Sequence, residues 1–325
     1  MKKNLIALAA CSLSCLALVS CGGNASVKKI GILQFGTFEA LTNAKTGFIS
    51  ALEEAGFKDG DKIKITISNP ETDSATNKSM ADTLASGMDL VYGIATPSAT
   101  ALKNSVDTTG RGIPVLFSAV TDPVGAKLVD SLDKPGHNVT GMSDLGPIKE
   151  EINLLKLFDN IDKVATLITG TEANSIYQEA IAKQVIADNG WSETAKTINN
   201  ATEITAAVTS IPADVDALWI PTDDTIAANI TAIKSANESR STPLIVLGCD
   251  VGMIKGCVVG MGVDYTELGR QAGQQAVKIL NGTAPADIPV GTGDKSLITI
   301  NKTWATTLGL SLPANLLATS GATII

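Results

Sequence analysis

Histidine is nearly missing from this chain. His137 is the only one in 325 residues, and it stands in a turn-like Pro135-Gly136-His137-Asn138 run. A Ser–His–Asp grouping or an imidazole-based metal centre is therefore not to be expected, and an exposed loop is the ordinary place for such a residue. Aromatic residues make up only 4% of the chain, too few for several rings to sandwich one ligand. Basic runs are absent, and 33 acidic residues outweigh 25 basic ones, which argues against nucleic acid as a partner. The phosphate-cradling pattern Gly-x-x-x-x-Gly-Lys-Ser/Thr is absent, as is the Gly-x-Ser-x-Gly elbow, so neither ATP hydrolysis nor a serine hydrolase is indicated.

What is present begins with an address. Lys2 and Lys3 precede an apolar run from Leu5 to Val19, the pattern of a secretory signal over residues 1–20. At about 15 residues the run is shorter than the ~20 that span a bilayer. Its end, Leu18-Val19-Ser20-Cys21, looks like a bacterial lipobox in which Cys21 becomes the lipidated first residue. Residues 21–27 then read as a flexible tether, and the expected location is extracytoplasmic, anchored to the cell membrane by lipid. Loss of Lys2 and Lys3 takes the formal charge from −8 to −10. Of the five cysteines, Cys11 and Cys15 leave with the leader and Cys21 carries lipid. Cys249 and Cys257 remain, and export permits a disulfide between them, although sequence separation alone cannot establish one.

The remaining 300 or so residues suffice for two domains. Ile113 to Phe117 is a continuous apolar run ending at Ser118-Ala119-Val120-Thr121-Asp122-Pro123, as suits a strand buried on both faces of a parallel sheet. Strands at Lys29–Phe35, Lys62–Ser68 and Leu90–Ala95 alternate with helices at Leu41–Ala55, at Ser74–Ser86 and after Thr96. A further helix is expected from Pro123 to about Leu132. After a pause near Gly136–Gly141 the alternation restarts. Strands are expected at Lys163–Thr169, Glu193–Ile198, Ala217–Ile220 and Leu244–Leu247, and helices at Asn174–Asn189, Glu203–Ser210 and Thr225–Ala236. This predicts an α/β protein of two doubly wound, parallel-sheet lobes facing each other across a cleft. The tail, with strands Val258–Val263 and Ser296–Ile300 and helices Tyr265–Leu280 and Lys302–Leu308, is expected to revisit both lobes and form a multi-strand hinge. The expected N-terminal lobe is 28–144 plus about 260–285, and the C-terminal lobe 145–259 plus about 286–325.

Seven segments in order carry a more specific likeness: Ile32–Phe35 with Gly47-Phe48; Asp89-Leu90-Val91 with Ile94–Ala99; Ile113–Val129; Asn138–Asp144; Glu172–Ser175; Pro221-Thr222-Asp223; and Asp264-Tyr265 with Leu268-Gly269. Together they resemble the ABC-transporter substrate-binding lipoproteins associated with tryptophan and other aromatic amino acids, over nearly the whole mature chain. The resemblance implies a fold like the type I periplasmic binding proteins, with two α/β lobes, three crossovers and a ligand held between them. It further implies capture of a small molecule outside the membrane and delivery to a permease powered by a cytoplasmic ATPase. After Gln34-Phe35 the family usually carries Val-Glu-His-Pro, whereas this chain has Gly36-Thr37-Phe38-Glu39. The expected ligand is therefore an amino acid or similar small polar metabolite, aromatic first, rather than tryptophan in particular.

An amino acid offers a carboxylate, an ammonium group and a side chain. Thr96-Pro97-Ser98 stands at a strand-to-helix turn whose free N–H groups favour an anion; helix capping is the alternative and can coexist with it. Asn174 and Ser175 occupy an equivalent turn in the second lobe. Asp223, just past a short apolar strand, is the expected ammonium partner through a charge-assisted hydrogen bond, or else the N-cap of the following helix. Asp224, where the family usually has Asn, either binds a second donor or faces water. Thr121 and Asp122 shape the first lobe's rim, with Asp122 open to a pure capping role. Gln34 could hydrogen-bond a ligand, and Phe35 either stacks on it or belongs to the core. Asp264 and Tyr265 are weaker candidates near the hinge. No metal or cofactor is expected, and the protein is expected to be a monomer. A sugar- or nucleoside-binding relative on the same scaffold is the alternative, and an extracytoplasmic enzyme using carboxylate chemistry ranks below it.

Overall fold

The computed structural model describes residues 26–293 and 295–325; the expected leader, Cys21 and the start of the tether lie outside them. The first five strands are β1 (Lys28–Gln34), β2 (Ile63–Ser68), β3 (Leu90–Ile94), β4 (Val115–Val120) and β5 (Val139–Ser143). Every residue of β3, β4 and β5 is buried, which is what continuous apolar runs achieve when helices cover both faces of a parallel sheet. The next five are β6 (Lys163–Thr169), β7 (Ser192–Ile198), β8 (Ala217–Ile220), β9 (Ile245–Gly248) and β10 (Val259–Val263). They are followed by β11 (Gly291–Thr292), β12 (Ser296–Ile300) and β13 (Thr323–Ile324).

Two sheets result. One runs β11-β5-β4-β3-β1-β2 and is wholly parallel. The other runs β13-β12-β10-β9-β8-β6-β7, and only its β10–β12 pair is antiparallel. The chain passes between the sheets three times: after Ser143, after Val263 and after Thr292. Two boundaries differ from expectation. Strand β10 belongs to the second sheet, because Val259–Val263 pairs with Ile300–Ser296 of β12. Residues 288–292 return to the first lobe: Thr140 Oγ1 donates to the Ile288 carbonyl at 2.7 Å, and Gly291 pairs with Met142 of β5. An apolar run shows that a strand exists but not which sheet accepts it.

Helix Tyr265–Leu280 packs on the first lobe against helix Glu39–Glu54 with almost no room between the backbones. A Cβ on Gly269 would stand 1.9 Å from the Ala44 carbonyl oxygen, and one on Gly47 would stand 2.0 Å from that of Thr266. Arg270 pairs with Glu54 beside this contact. Beneath it Phe48 stacks on Tyr92 with ring centroids 4.0 Å apart.

Two expected helices change form. Pro123 to Leu132 makes one turn, closed by Ala126 N–H to the Asp122 carbonyl, and is stopped by Lys127 at φ 57°; a left-handed residue cannot continue a right-handed helix. The stretch Thr225–Ala236 divides at Asn229 (φ −123°, ψ 24°) into Asp224–Ala228 and Ile230–Glu238. Cys249 and Cys257 are both buried and free, so the permitted disulfide is not formed. The Cys249 thiol instead donates to Glu151 Oε2 at 2.6 Å. Among the described residues no helix is long and apolar enough to cross a membrane.

Candidate ligand-binding cleft

The carboxyl ends of both sheets face each other, as open α/β sheets require of a binding edge. On the first lobe, β3 runs into Ala95 (φ 84°, ψ 154°) and then directly into helix Thr96–Thr109. Strand β4 breaks register between Phe117 and Val120, with Ala119 at φ 55°. Both alanines hold conformations that glycine normally takes, and such strain is retained where a tightly packed surround dictates it. On the second lobe, β6, β8 and β9 deliver Thr169, Thr222–Asp224 and Asp250 to the same place, and helix Ala173–Asp188 opens beside them.

Between the lobes lies a small cavity of about 20 Å3, room for roughly one water. Phe38, Leu41, Met253 and Tyr265 form its apolar wall, and Asp144, Asp223, Asp224 and Asp250 its acidic one; among the described residues no Lys, Arg or His lines it. A wider cleft of about 750 Å3 opens beside it, bordered mainly by neutral amides and hydroxyls such as Asn77, Asn104, Asn199 and Asn200, with Lys78, Asp82 and Glu172 as its charged residues. Thr96 and Asn174 border both spaces. The chemistry is concentrated in the smaller one.

The acids are not equivalent. Asp223 is 1% exposed and fully engaged. Its oxygens accept from Thr169 N (2.7 Å), Thr169 Oγ1 (2.9 Å), Ser175 Oγ (2.8 Å) and Ile226 N (2.9 Å). It caps helix Asp224–Ala228 and ties β6 to the loop after β8, which turns its expected ammonium role toward the structural alternative. Asp223→Ala is expected to lower the unfolding free energy by about 2–4 kcal/mol, because it strands several buried donors; an unchanged urea midpoint would contradict this. Glu172 supports the same helix start, accepting from Asp224 N (2.8 Å), Thr225 N (2.9 Å) and Thr225 Oγ1 (2.7 Å). Burial and neighbouring Asp223 push it up to about 7. Asp144 accepts from Tyr265 OH (2.8 Å) and Thr121 Oγ1 (3.1 Å), joining three elements at the hinge. Burial raises its carboxyl above the usual range. Asp250 accepts from Gly252 N at 2.8 Å and is pushed up to about 7 by burial. Asp224 is 92% buried, yet its carboxylate has no hydrogen-bond partner among the described residues. Burial, then the charges of Glu172, Asp223 and Asp144, lift it well above the ordinary carboxylate range.

Other expected residues are placed as follows. Thr96, Thr121, Asn174 and Tyr265 border the cavity, while Phe35 and Pro97 border the wider cleft. Ser98 turns into the core and donates to Asn77 Oδ1 at 2.9 Å. Ser175 serves Asp223 rather than the cavity. Gln34 does not reach the cavity; its amide donates to the Gly36 carbonyl (2.8 Å) and Thr42 Oγ1 (3.3 Å), shaping the turn that presents Phe38. Asp122 caps its own turn by accepting from Gly125 N at 2.8 Å. Asp264 caps helix Tyr265–Leu280. Phe38, Asp144 and Asp250 border the cavity without having been anticipated there, and Gln178, which does not line it, holds its rim together. Asp250 follows a short apolar strand just as Asp223 does, so the same rule points to it. Gln178 donates to Thr222 Oγ1 at 2.7 Å and reaches Thr121 Oγ1 of the other lobe at 3.5 Å; nothing in its helical setting announces that bond.

Comparison with known proteins adds the family. Residues 29–324 match the ABC transporter substrate binding proteins. A tyrosine-binding protein of Clostridioides difficile (strain R20291) is 38% identical over 279 residues, covering 85% of this chain and 79% of that protein. An ABC domain from Streptococcus pneumonia, solved in complex with L-Trp, superposes with a TM-score of 0.86 at 34% identity, over 92% of this chain and 100% of that one. The ligand-free, open structure of a Clostridium difficile substrate-binding protein with adhesive properties gives 0.71 at 35% identity, over 92% and 99%. With its two parallel-sheet lobes, its three crossings and this match over nearly all of the described residues, the chain belongs to the family of ABC transporter substrate-binding proteins.

Proposed function

We propose that this protein captures an aromatic amino acid between its lobes and presents it to a membrane permease driven by an ATPase. The observation that carries the reading is the inter-lobe cavity itself. One wall is apolar and holds Phe38 and Tyr265, and the other holds carboxylates that no basic side chain compensates. A ring and an ammonium group are the two chemical features that such a pair of walls complements. The starts of helices Thr96–Thr109 and Ala173–Asp188 add free N–H groups for an oxygen acceptor on the ligand. At nearly equal identity, the fold superposes better on the L-Trp complex than on the open relative. That supports a closed arrangement, and a cavity with room for about one water requires the lobes to part to admit a ring and to close less far once it is held between them. The protein is read as a monomer without turnover, held at the extracytoplasmic membrane face through a lipid on Cys21, with lobes 28–143 plus 265–292 and 148–263 plus 296–325.

Thermal-shift measurements with amino acids, sugars and nucleosides test this. Tyrosine, tryptophan or phenylalanine should stabilise the fold, by about 2.7 kcal/mol at a hundredfold excess over Kd, and should be recovered chemically unchanged. Stabilisation by sugars or nucleosides alone would overturn the reading. Cys21→Ala should release the protein from the membrane fraction, and retention there would overturn the anchor.

A further inference from the structure

A ligand entering this cavity meets carboxylates from both lobes. Asp144 comes from the first, at the end of β5, and Asp224 and Asp250 come from the second, after β8 and β9. Their states of satisfaction differ. Asp144 already receives two hydroxyl hydrogen bonds and Asp250 one backbone N–H, whereas Asp224 receives none among the described residues. Asp224 is 92% buried as a residue, and its carboxylate opens to the cavity rather than to a donor. Such a position favours a cation or proton beside it, and no Lys, Arg or His among the described residues lines the cavity. Asp223, which occupies the position first suspected of this role, is saturated by four donors from the chain. Meanwhile the groups placed to meet a ligand's acid end, among the described residues, are hydroxyls, an amide and the N–H groups of two helix starts. Those donors hydrogen-bond a neutral carbonyl as well as a carboxylate, and the modest preference of helix starts for an anion is opposed by the cavity's own carboxylates.

Building on the reading above, we infer that the site recognises its ligand's ammonium group, clamped between Asp224 of the second lobe and Asp144 of the first, and does not require the ligand's carboxylate. The ligand class is thereby widened from aromatic amino acids to their cationic derivatives: α-amides, α-esters and aromatic amines. A ligand of net charge +1 offsets more of the cavity's negative charge than a zwitterion does. The lobes would close on that charge, since a cation between acids of opposite lobes lowers the energy only when both are near.

Isothermal titration of the mature protein with L-tyrosine, L-tryptophan, their α-amides, tyramine and the N-acetyl amino acids separates the possibilities. The amides are expected to bind within threefold of the free acids or more tightly. The N-acetyl compounds are expected to lose a hundredfold or more. Asp224→Asn should weaken every amine-bearing ligand by about tenfold to a hundredfold, the range for a lost hydrogen bond to a charged group, with its unliganded thermal midpoint equal to or above that of the parent. Free acids that bind while amides are tenfold or more weaker would overturn the inference and leave the proposed function standing. So would an Asp224→Asn protein that binds as the parent does. Failure of acids, amides and amines alike would overturn both.

Discussion

Gly269→Ala should destabilise the protein by about 3 kcal/mol or more, although alanine is the better helix former by about 1 kcal/mol. The steric effect wins because the new methyl would stand 1.9 Å from the Ala44 carbonyl oxygen and 2.6 Å from its carbon, and that backbone has nowhere to retreat. The two helices would have to separate, opening the seam that buries Leu41, Ala44 and Phe48 against Leu268, Ala272 and Ala276. Gly47→Ala attacks the same contact from the other side, with a methyl 2.0 Å from Thr266 O, and should act alike. Gly87→Ala is the control: it also lies in a helix, with open space where its Cβ would be, and should be neutral or mildly stabilising. Urea unfolding of the three variants decides the matter. A Gly269→Ala protein as stable as the parent would refute the close packing of these helices.

The second large effect is on pH. Glu151 is buried in the second lobe, with Oε2 accepting from Cys249 Sγ at 2.6 Å and Trp219 Nε1 at 3.2 Å, while Oε1 has no partner among the described residues. Burial pushes its carboxyl from 4.5 up to about 8. Glu172 and Asp250 are raised to about 7, again chiefly by burial. A carboxyl with a raised folded-state pKa keeps its proton in the native protein where the unfolded chain has already released one. Stability therefore falls as pH rises from about 4.5 toward 8. Glu151 alone accounts for something on the order of 5 kcal/mol across that window at 1.36 kcal/mol per unit, and the other two act with the same sign. The protein should unfold at clearly lower urea at pH 8 than at pH 5, and Glu151→Gln, an isostere of the neutral acid, should flatten the dependence. A midpoint that is level or rises between pH 5 and 8 would refute this account.

Local features of the chain were readable in advance, and partnerships across distance were not. The apolar run Ile113–Phe117 announced a buried strand, and β4 overlaps it at Val115–Phe117 but runs on through Ser118–Val120, past the polar Ser118 at which the run ends. Asp223 was legible as an edge residue because it follows the apolar Ala217–Ile220. Its saturation was not, because its donors Thr169 and Ser175 lie 54 and 48 residues away. Pro123 with Asp122 before it looked like a helix start, and the cap did form. What stopped the helix was a left-handed Lys127, a conformation that lysine does not advertise. The cavity wall drew on Phe38, Asp144 and Asp250 because three loops converge, and convergence belongs to the fold rather than to any one motif.

The three passages between sheets have a consequence for how the molecule is made. The first lobe is assembled from both ends of the chain: helix Glu39–Glu54 waits for Tyr265–Leu280, and β5 waits for Gly291–Thr292. A nascent polypeptide that has emerged only as far as Val263 leaves the apolar stripe of Leu41, Ala44 and Phe48 uncovered. The first lobe is thus kept incomplete until Gly291–Thr292 has been synthesised, well after the whole of its first five strands.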